Sequence, residues 1–134
     1  MESEITIGQE CEISVPISPE NICQFSELSG DFSPIHTDIN FAKTAGYDGP
    51  LVHGAFLAAL VSRLIGMHLP GRRGILERMD LSFRQPCYAP CQLLVKATVK
   101  QVSEAVNSII LEVAVERNDG AVIVTGKTWH KLLD

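Results

Sequence analysis

The chain has 134 residues, of which 46% are hydrophobic and 20% are charged, and its formal net charge is −5. This length and composition are typical of one soluble globular domain with its own core, so we predict a single domain over residues 1–134. The acidic balance and the scattered basic residues exclude an extended nucleic-acid-binding surface.

No targeting or membrane segment is expected from the sequence. Residues 1–4 are acidic, without the apolar stretch of a secretory signal. The longest apolar run, residues 55–61, is shorter than the roughly 18–20 residues that cross a membrane. We therefore expect a cytoplasmic protein with no membrane partner. The four cysteines do not form a CxxC pair, and we expect them to be free thiols. We expect neither a zinc site nor a nucleophilic thiol among them: Cys11, Cys23, Cys87 and Cys91.

The first elements in the chain are predicted to be a strand and a helix. Residues 5–15 favour a strand because isoleucine and valine alternate with polar residues. Ser18 and Pro19 are typical of a helix N-cap and first helical position. Apolar residues then recur at helical spacing up to Gly30, which can end the helix.

The next segment, residues 29–38, reads Ser-Gly-Asp-Phe-Ser-Pro-Ile-His-Thr-Asp. Its glycine and proline favour an ordered loop. Asp31 and His36 are five residues apart, a poor spacing for one helical face, but a loop can turn both side chains toward one point. An Asp/His pair is suited to proton transfer near neutral pH. Either residue taken alone would more often be structural, with Asp31 in a turn.

A buried helix and an antiparallel sheet are predicted for the rest of the chain. Asp38 is expected to cap a short helix at residues 41–45. Residues 54–65 are apolar on nearly every helical face, which indicates a buried helix. Four β-rich segments follow, at residues 75–84, 93–102, 108–117 and 121–132. The predicted class is α+β, with an antiparallel sheet wrapped around a long central helix. Its exposed edges favour a homodimer.

The segment at residues 29–38, with Phe41-Ala42, Val52-His53-Gly54 and Phe83-Arg84-Gln85-Pro86, resembles the MaoC-like hydratases. That family includes the (R)-specific enoyl-CoA hydratases, and the likeness covers essentially the whole chain. The resemblance implies a hot-dog fold and a dimer. It also implies addition of water to a trans-2-enoyl thioester, giving an (R)-3-hydroxyacyl thioester, or the reverse dehydration. The substrate would be an acyl-CoA or acyl-carrier-protein thioester, with no cofactor or metal.

The resemblance also implies roles for individual residues. Asp31 and His36 would act on one catalytic water, and the Gly54 N–H would bind the thioester carbonyl. Ser62 corresponds to a serine that lines the site in close relatives, although a serine in a helix can also bond to its own preceding turn. Ser33 departs from the pattern, because the family usually has asparagine there. We expect Ser33 to need a bridging water, and to reduce the rate on ordinary enoyl-CoA or to change the substrate.

The remaining expectations come from the residue types. Phe56, Leu57 and Leu60 are predicted to form apolar walls that accept an acyl chain. His53 is predicted to be structural, fixing the loop that presents Gly54, and it is placed with Ser33 among the residues of the substrate pocket. The other predictions are that Phe83 and Trp129 lie in the core and that His68 and His130 lie on the surface. The arginine that contacts CoA is left open among Arg63, Arg72, Arg73, Arg78 and Arg84.

Three other functions stay open at this point. The protein could be a dehydratase acting on a carrier-protein-bound or unusual acyl group. It could be a hot-dog thioesterase, although the motif argues against this reading. It could also be a non-catalytic acyl-thioester-binding protein, which Ser33 alone favours.

Overall fold

The structure, a computed structural model, describes residues 4–133. The elements follow in the order β1 (Glu10–Ile17), α1 (Pro19–Ser29), α2 (Pro34–Thr37), α3 (Ile39–Thr44), α4 (Gly54–Met67), a 3₁₀ turn (Gly71–Arg73), β2 (Gly74–Phe83), β3 (Cys91–Ser103), β4 (Ser108–Arg117) and β5 (Val122–Leu132). Within the described range, no helix is both long enough and apolar enough to span a membrane.

Local sequence signals set the ends of α1 and α3. The Ser18 hydroxyl accepts a hydrogen bond from the Asn21 N–H at 3.2 Å, and the Asn21 side chain accepts the Ser18 N–H at 2.8 Å. Gly30 ends α1 with a φ of 79°, a conformation that glycine adopts without strain. Asp38 caps α3 by accepting the N–H groups of Asn40 and Phe41. Both capping residues confirm the sequence prediction, although α3 spans Ile39–Thr44 rather than residues 41–45.

The five strands form one antiparallel sheet in the order β1-β3-β4-β5-β2. Helix α4 packs against this sheet and contacts β1, β2, β3 and β4. The core-facing residues of β3 and β4 alternate as predicted and are almost fully buried: Leu93, Val95, Ala97, Val99, Ile109, Leu111, Val113 and Val115. The predicted α+β class, with a sheet wrapped around a central helix, is confirmed.

The first strand and the loop at residues 29–38 differ from prediction. The strand begins at Glu10 rather than at residue 5, because Gly8 adopts a φ of 90° and donates its N–H to the Val99 carbonyl. Ile7 is therefore 67% exposed. Within the predicted loop, residues Pro34–Thr37 form one helical turn, in which the fixed φ of proline suits the first position.

Helix α4 is not buried on every face, contrary to prediction. Leu57, Val61 and Leu64 point into the core, whereas Ala55, Ala59 and Ser62 lie on the opposite, exposed face. The apolar composition of α4 did not predict its exposed face, because alanine is compatible with both buried and exposed positions.

Three single-residue predictions for the sheet have different outcomes. Phe83 was predicted to be in the core but is 53% exposed. Trp129 is half-buried, under the Arg78 guanidinium at 4.5 Å from the ring centroid. His130 was predicted to be on the surface, but the alternation of β5 turns its ring inward and buries it completely.

His130 makes folding stability depend on pH. Its Nε2 lies 2.6 Å from the buried Thr128 hydroxyl, and burial lowers its pKa from 6.5 to about 4. Between these values the unfolded chain binds a proton that the folded chain does not. Stability is therefore fully present above about pH 6.5 and falls as the pH decreases toward 4.

We predict that His130 contributes on the order of 3 kcal/mol to this acid-induced loss of stability. Urea unfolding at a series of pH values should show a shallower pH dependence for His130→Leu than for wild type. His68→Leu is the matched control at an exposed position and should keep the wild-type slope. Equal slopes for His130→Leu and wild type would contradict the prediction.

Candidate active site

Asp31 follows the end of α1 and is held from three sides. Its N–H donates to the Ser29 hydroxyl at 3.1 Å, and its backbone carbonyl lies 3.1 Å from His53 Nε2. The Ser33 N–H donates to Asp31 Oδ1 at 3.1 Å. These bonds orient the carboxylate and leave its second oxygen, Oδ2, directed toward His36.

His36 lies in the single turn of α2 and is fixed in one tautomer. Its Nδ1 is 2.8 Å from the Leu51 carbonyl, which can only accept, so Nδ1 carries the hydrogen. Nε2 of the neutral ring therefore has a free lone pair. The Leu51 N–H in turn donates to the Ile35 carbonyl at 2.9 Å, which ties residue 51 to the helical turn that carries His36.

Asp31 Oδ2 and His36 Nε2 are 3.9 Å apart. This separation is too long for a direct hydrogen bond, but one water can lie within about 2.8 Å of both atoms. Both atoms are acceptors when His36 is neutral. A water held there would donate both of its hydrogens, and an oxygen lone pair would remain available for attack on a substrate.

A buried histidine supports the pair from behind. His53 is 1% exposed, and its Nε2 contacts both the Asp31 carbonyl and the hydroxyl of the buried Ser26, at 3.1 and 3.0 Å. The carbonyl requires a hydrogen on Nε2. The ring stacks on His36 with centroids 4.0 Å apart and also contacts Phe25. Burial is the main cause that lowers the pKa of His53, which favours the neutral form of its ring.

A groove of about 390 Å³ opens beside His36 and contains the start of α4. Gly54 is the first residue of that helix, so its N–H has no acceptor within the helix and lies at the positive end of the helix dipole. A Cβ at Gly54 would lie 3.2 Å from two ring carbons of Phe83. Glycine therefore allows the Phe83 ring to pack closely against the start of the helix.

The structure brings together some predicted site residues and not others. Leu57 lines the groove with His36 and Gly54. Phe56 instead stacks on Phe25, with centroids 5.1 Å apart, because its position on α4 faces α1. Ser62 lies on the exposed face of α4. Phe56 and Ser62 thus do not line this groove within one chain, and their place in the substrate pocket stays a prediction.

Ser33 and His53 contact Asp31 rather than the groove. The Ser33 contact uses the backbone N–H, which every residue except proline can provide. Replacement of the family asparagine by serine therefore leaves this support of the carboxylate in place. His53 occupies the structural position that the sequence predicted, at the N-cap of α4.

Sequence reasoning did not assign the rest of the groove wall. The additional lining residues are Tyr47, Leu51, Val52, Phe83, Arg84, Gln85, Pro86 and Cys87. The Phe-Arg-Gln-Pro segment was noted as part of the resemblance, but no local pattern showed that it faces the start of α4. Among the five arginines left open, Arg84 lies in this wall, where its Nε donates to the Thr125 hydroxyl at 3.0 Å.

Asp31, His36 and His53 could also be considered as metal ligands. Each offers one possible ligand atom, and the three atoms lie within 4.8 Å of one another. A catalytic zinc site commonly has three such protein ligands. His53 fits this use poorly at Nε2, because that nitrogen already donates its hydrogen to the Asp31 carbonyl.

Most of the chain matches a known protein family. A family model described as MaoC like domain matches residues 2–121. An (R)-specific enoyl-CoA hydratase of Aeromonas caviae is 33% identical over 128 residues, which are 96% of this chain and 96% of that protein. A mitochondrial 3-hydroxyacyl-[acyl-carrier-protein] dehydratase of Solanum lycopersicum is 26% identical over 130 residues, covering 96% of this chain and 78% of that protein.

A solved structure has the same fold over nearly the full length. It is described as an (R)-hydratase from A. caviae involved in PHA biosynthesis, and it superposes with a TM-score of 0.91 at 32% identity. The superposition covers 98% of this chain and 99% of that one. The predicted hot-dog fold is thus confirmed.

Proposed function

The chain belongs to the MaoC-like domain family, and from that premise we propose that it is a hydro-lyase acting on acyl thioesters. It adds water to trans-2-enoyl thioesters to give (R)-3-hydroxyacyl thioesters, or catalyses the reverse dehydration. The observation that carries the proposal is the Asp31 Oδ2 to His36 Nε2 separation of 3.9 Å at the edge of the groove. The two acceptors are spaced to hold one water.

The proposed reaction uses this water as the source of both added groups. Its oxygen attacks C3 of the enoyl thioester while one of its hydrogens passes to the Asp31–His36 pair. The electron pair of the double bond moves toward the thioester oxygen. The pair then returns a proton to C2, so the elements of one water are added and both side chains regain their starting state. A positioned acid or base typically contributes about 10²–10⁴-fold to such a step.

Gly54 is the proposed donor to the thioester oxygen. Negative charge develops on that oxygen when C3 is attacked, and a fixed N–H at a helix N-terminus stabilises it. Leu57 and Phe83 provide apolar surface beside this point. They would contact the acyl or thioester part of the substrate and exclude water other than the one held by Asp31 and His36.

The carrier of the acyl group is CoA in the first proposal and acyl carrier protein in the second. The second has support because a relative named as a carrier-protein dehydratase matches 96% of this chain. Arg84 is a suitable phosphate contact for either carrier, since it lies in the groove wall and is exposed. Turnover of CoA and carrier-protein thioesters of the same acyl chain distinguishes the two carriers.

We also propose a cytoplasmic homodimer that needs no metal or cofactor. Strand β2 is an edge of the sheet and is hydrogen-bonded on one side by β5. It exposes Ile75, Leu76 and Phe83, which are 51%, 38% and 53% accessible. An edge strand with exposed apolar residues is a suitable surface for pairing with a second copy.

Asp31→Asn and His36→Ala are each predicted to lower kcat for hydration of crotonyl-CoA by about 10²-fold or more while the fold is retained. The loss of absorbance at the enoyl-thioester band measures turnover, chiral analysis establishes the (R)-product, and circular dichroism checks folding. Release of free thiol, measured in parallel, would indicate thioesterase activity instead. Wild-type turnover in both variants would refute the proposal, and a chelator should leave the wild-type rate unchanged.

Gly54→Ala is predicted to lower kcat/KM by roughly tenfold or more, because the new methyl group displaces Phe83 or the start of α4. Gly66→Ala is the matched control in the same helix, since a Cβ there meets no atom within 4 Å. It should keep wild-type kinetics and gain up to about 1 kcal/mol of stability. Unchanged kinetics in Gly54→Ala would exclude the proposed donor geometry.

Light scattering coupled to size exclusion should give wild type a mass twice the 14.6 kDa of one chain. Replacing Ile75 and Leu76 together by lysine should give the single-chain mass at the same concentration, because charged side chains would replace exposed apolar surface on the β2 edge. Val106→Lys, at a position 67% exposed in the β3–β4 turn, should remain dimeric. A wild-type protein that is monomeric at micromolar concentration would rule out the dimer.

A further inference from the structure

Two of the four cysteines form a close pair beside the groove. The sulfur atoms of Cys87 and Cys91 are 3.8 Å apart, and both thiols are free. Cys87 is 2% exposed and lines the groove that contains His36 and Gly54. Cys91 begins β3 and is opposite Ile17 of the edge strand β1. The pair thus lies between the proposed substrate groove and the outer surface.

The pKa values of the two thiols are shifted in opposite directions. The contact with the Cys87 thiol lowers the pKa of Cys91, burial opposes this shift, and the nearby positive charge of Arg117 adds to it. The same contact and burial raise the pKa of Cys87. Cys91 is therefore the thiol that more readily becomes a thiolate, which is the form that oxidants and disulfides attack.

Cys91 is also the accessible member of the pair. It is half-buried and lines a second surface groove with Ile17, Ser18 and Pro90. This groove lies at the β1 edge, whereas the proposed dimer uses β2 at the other edge of the sheet. A small oxidant can reach Cys91 from this side without entering the substrate groove.

We propose that Cys87 and Cys91 form a reversible disulfide that controls the shape of the substrate groove. A peroxide oxidises the Cys91 thiolate to a sulfenic acid, and the peroxide is reduced to water or an alcohol. Cys87 then attacks the Cys91 sulfur, an S–S bond forms, and water leaves with the Cys87 proton. With oxidised glutathione, Cys91 first forms a mixed disulfide and Cys87 displaces reduced glutathione. A dithiol reductant reverses either route.

We expect closure of the bridge to move the groove wall. The sulfurs must approach by about 1.8 Å to reach the disulfide bond length. Residues 84–90 lie outside helix and strand, and they include the groove residues Arg84, Gln85 and Pro86. The Cys87 carbonyl also accepts the Val52 N–H at 2.8 Å, immediately before His53 and Gly54. A shift of Cys87 would therefore displace residues in both walls of the groove.

The first measurement is thiol content, which does not depend on the proposed function. The purified full chain is equilibrated with mixtures of reduced and oxidised glutathione, unfolded, and analysed by thiol titration and mass spectrometry. Wild type should fall from four free thiols to two with a mass loss of two hydrogens. Cys11→Ala/Cys23→Ala should still form the bridge, and Cys91→Ala should not. Retention of all four thiols, or stable glutathione adducts alone, would overturn the proposal.

The second measurement is kinetic and rests on the proposed hydratase activity. Oxidised wild type should lose roughly tenfold in kcat/KM, mainly through KM, and dithiothreitol should restore it. Cys91→Ala should match the reduced wild type before and after oxidant treatment. A bridge that forms without any change in kinetics would overturn control of the groove. Absence of turnover in the reduced protein would refute the proposed function, while the thiol measurement would still decide whether the bridge forms.

Discussion

The hydrogen bond from His53 Nε2 to the Asp31 carbonyl is the contact on which the site depends. It joins the end of α1 to the start of α4, two elements that are far apart in the chain. The same ring stacks on His36. One buried side chain thereby positions the carboxylate, the imidazole and the first residue of the central helix. Its burial beside Ser26 makes this arrangement rigid, because an unpaired Nε2 would be costly there.

The neutrality of His53 also has an electrostatic consequence. Two stacked imidazoles with centroids 4.0 Å apart would repel each other if both were protonated. Because burial keeps His53 neutral, His36 can accept a proton without a second positive charge beside it. The Asp31 carboxylate lies 3.9 Å from His36 Nε2, a separation that one bound water can bridge. The two histidines therefore have different roles, and the difference comes from their environments.

The sequence predicted the fold well where a regular pattern was repeated. The alternation in β3 and β4, the capping residues of α1 and α3, and the apolar run of α4 all correspond to observed elements. The predictions failed where one residue type suits two environments. Alanine on α4 did not distinguish a buried face from an exposed one, and His130 could not be placed without the register of β5. Whether such a residue is buried or exposed depends on tertiary packing, which the residue type alone does not determine.

The active site could be predicted only in part from the sequence. Asp31 and His36 lie within one short motif, so the loop that joins them limits their separation. The groove wall at Phe83 and Cys87 comes from a distant segment, which the pairing of β2 with β5 and the bond from the Val52 N–H to the Cys87 carbonyl hold beside the start of α4. Ser33 shows a further limit of side-chain reasoning. Its support of Asp31 comes from the backbone N–H, so a change of side chain there does not by itself remove the geometry that holds the water.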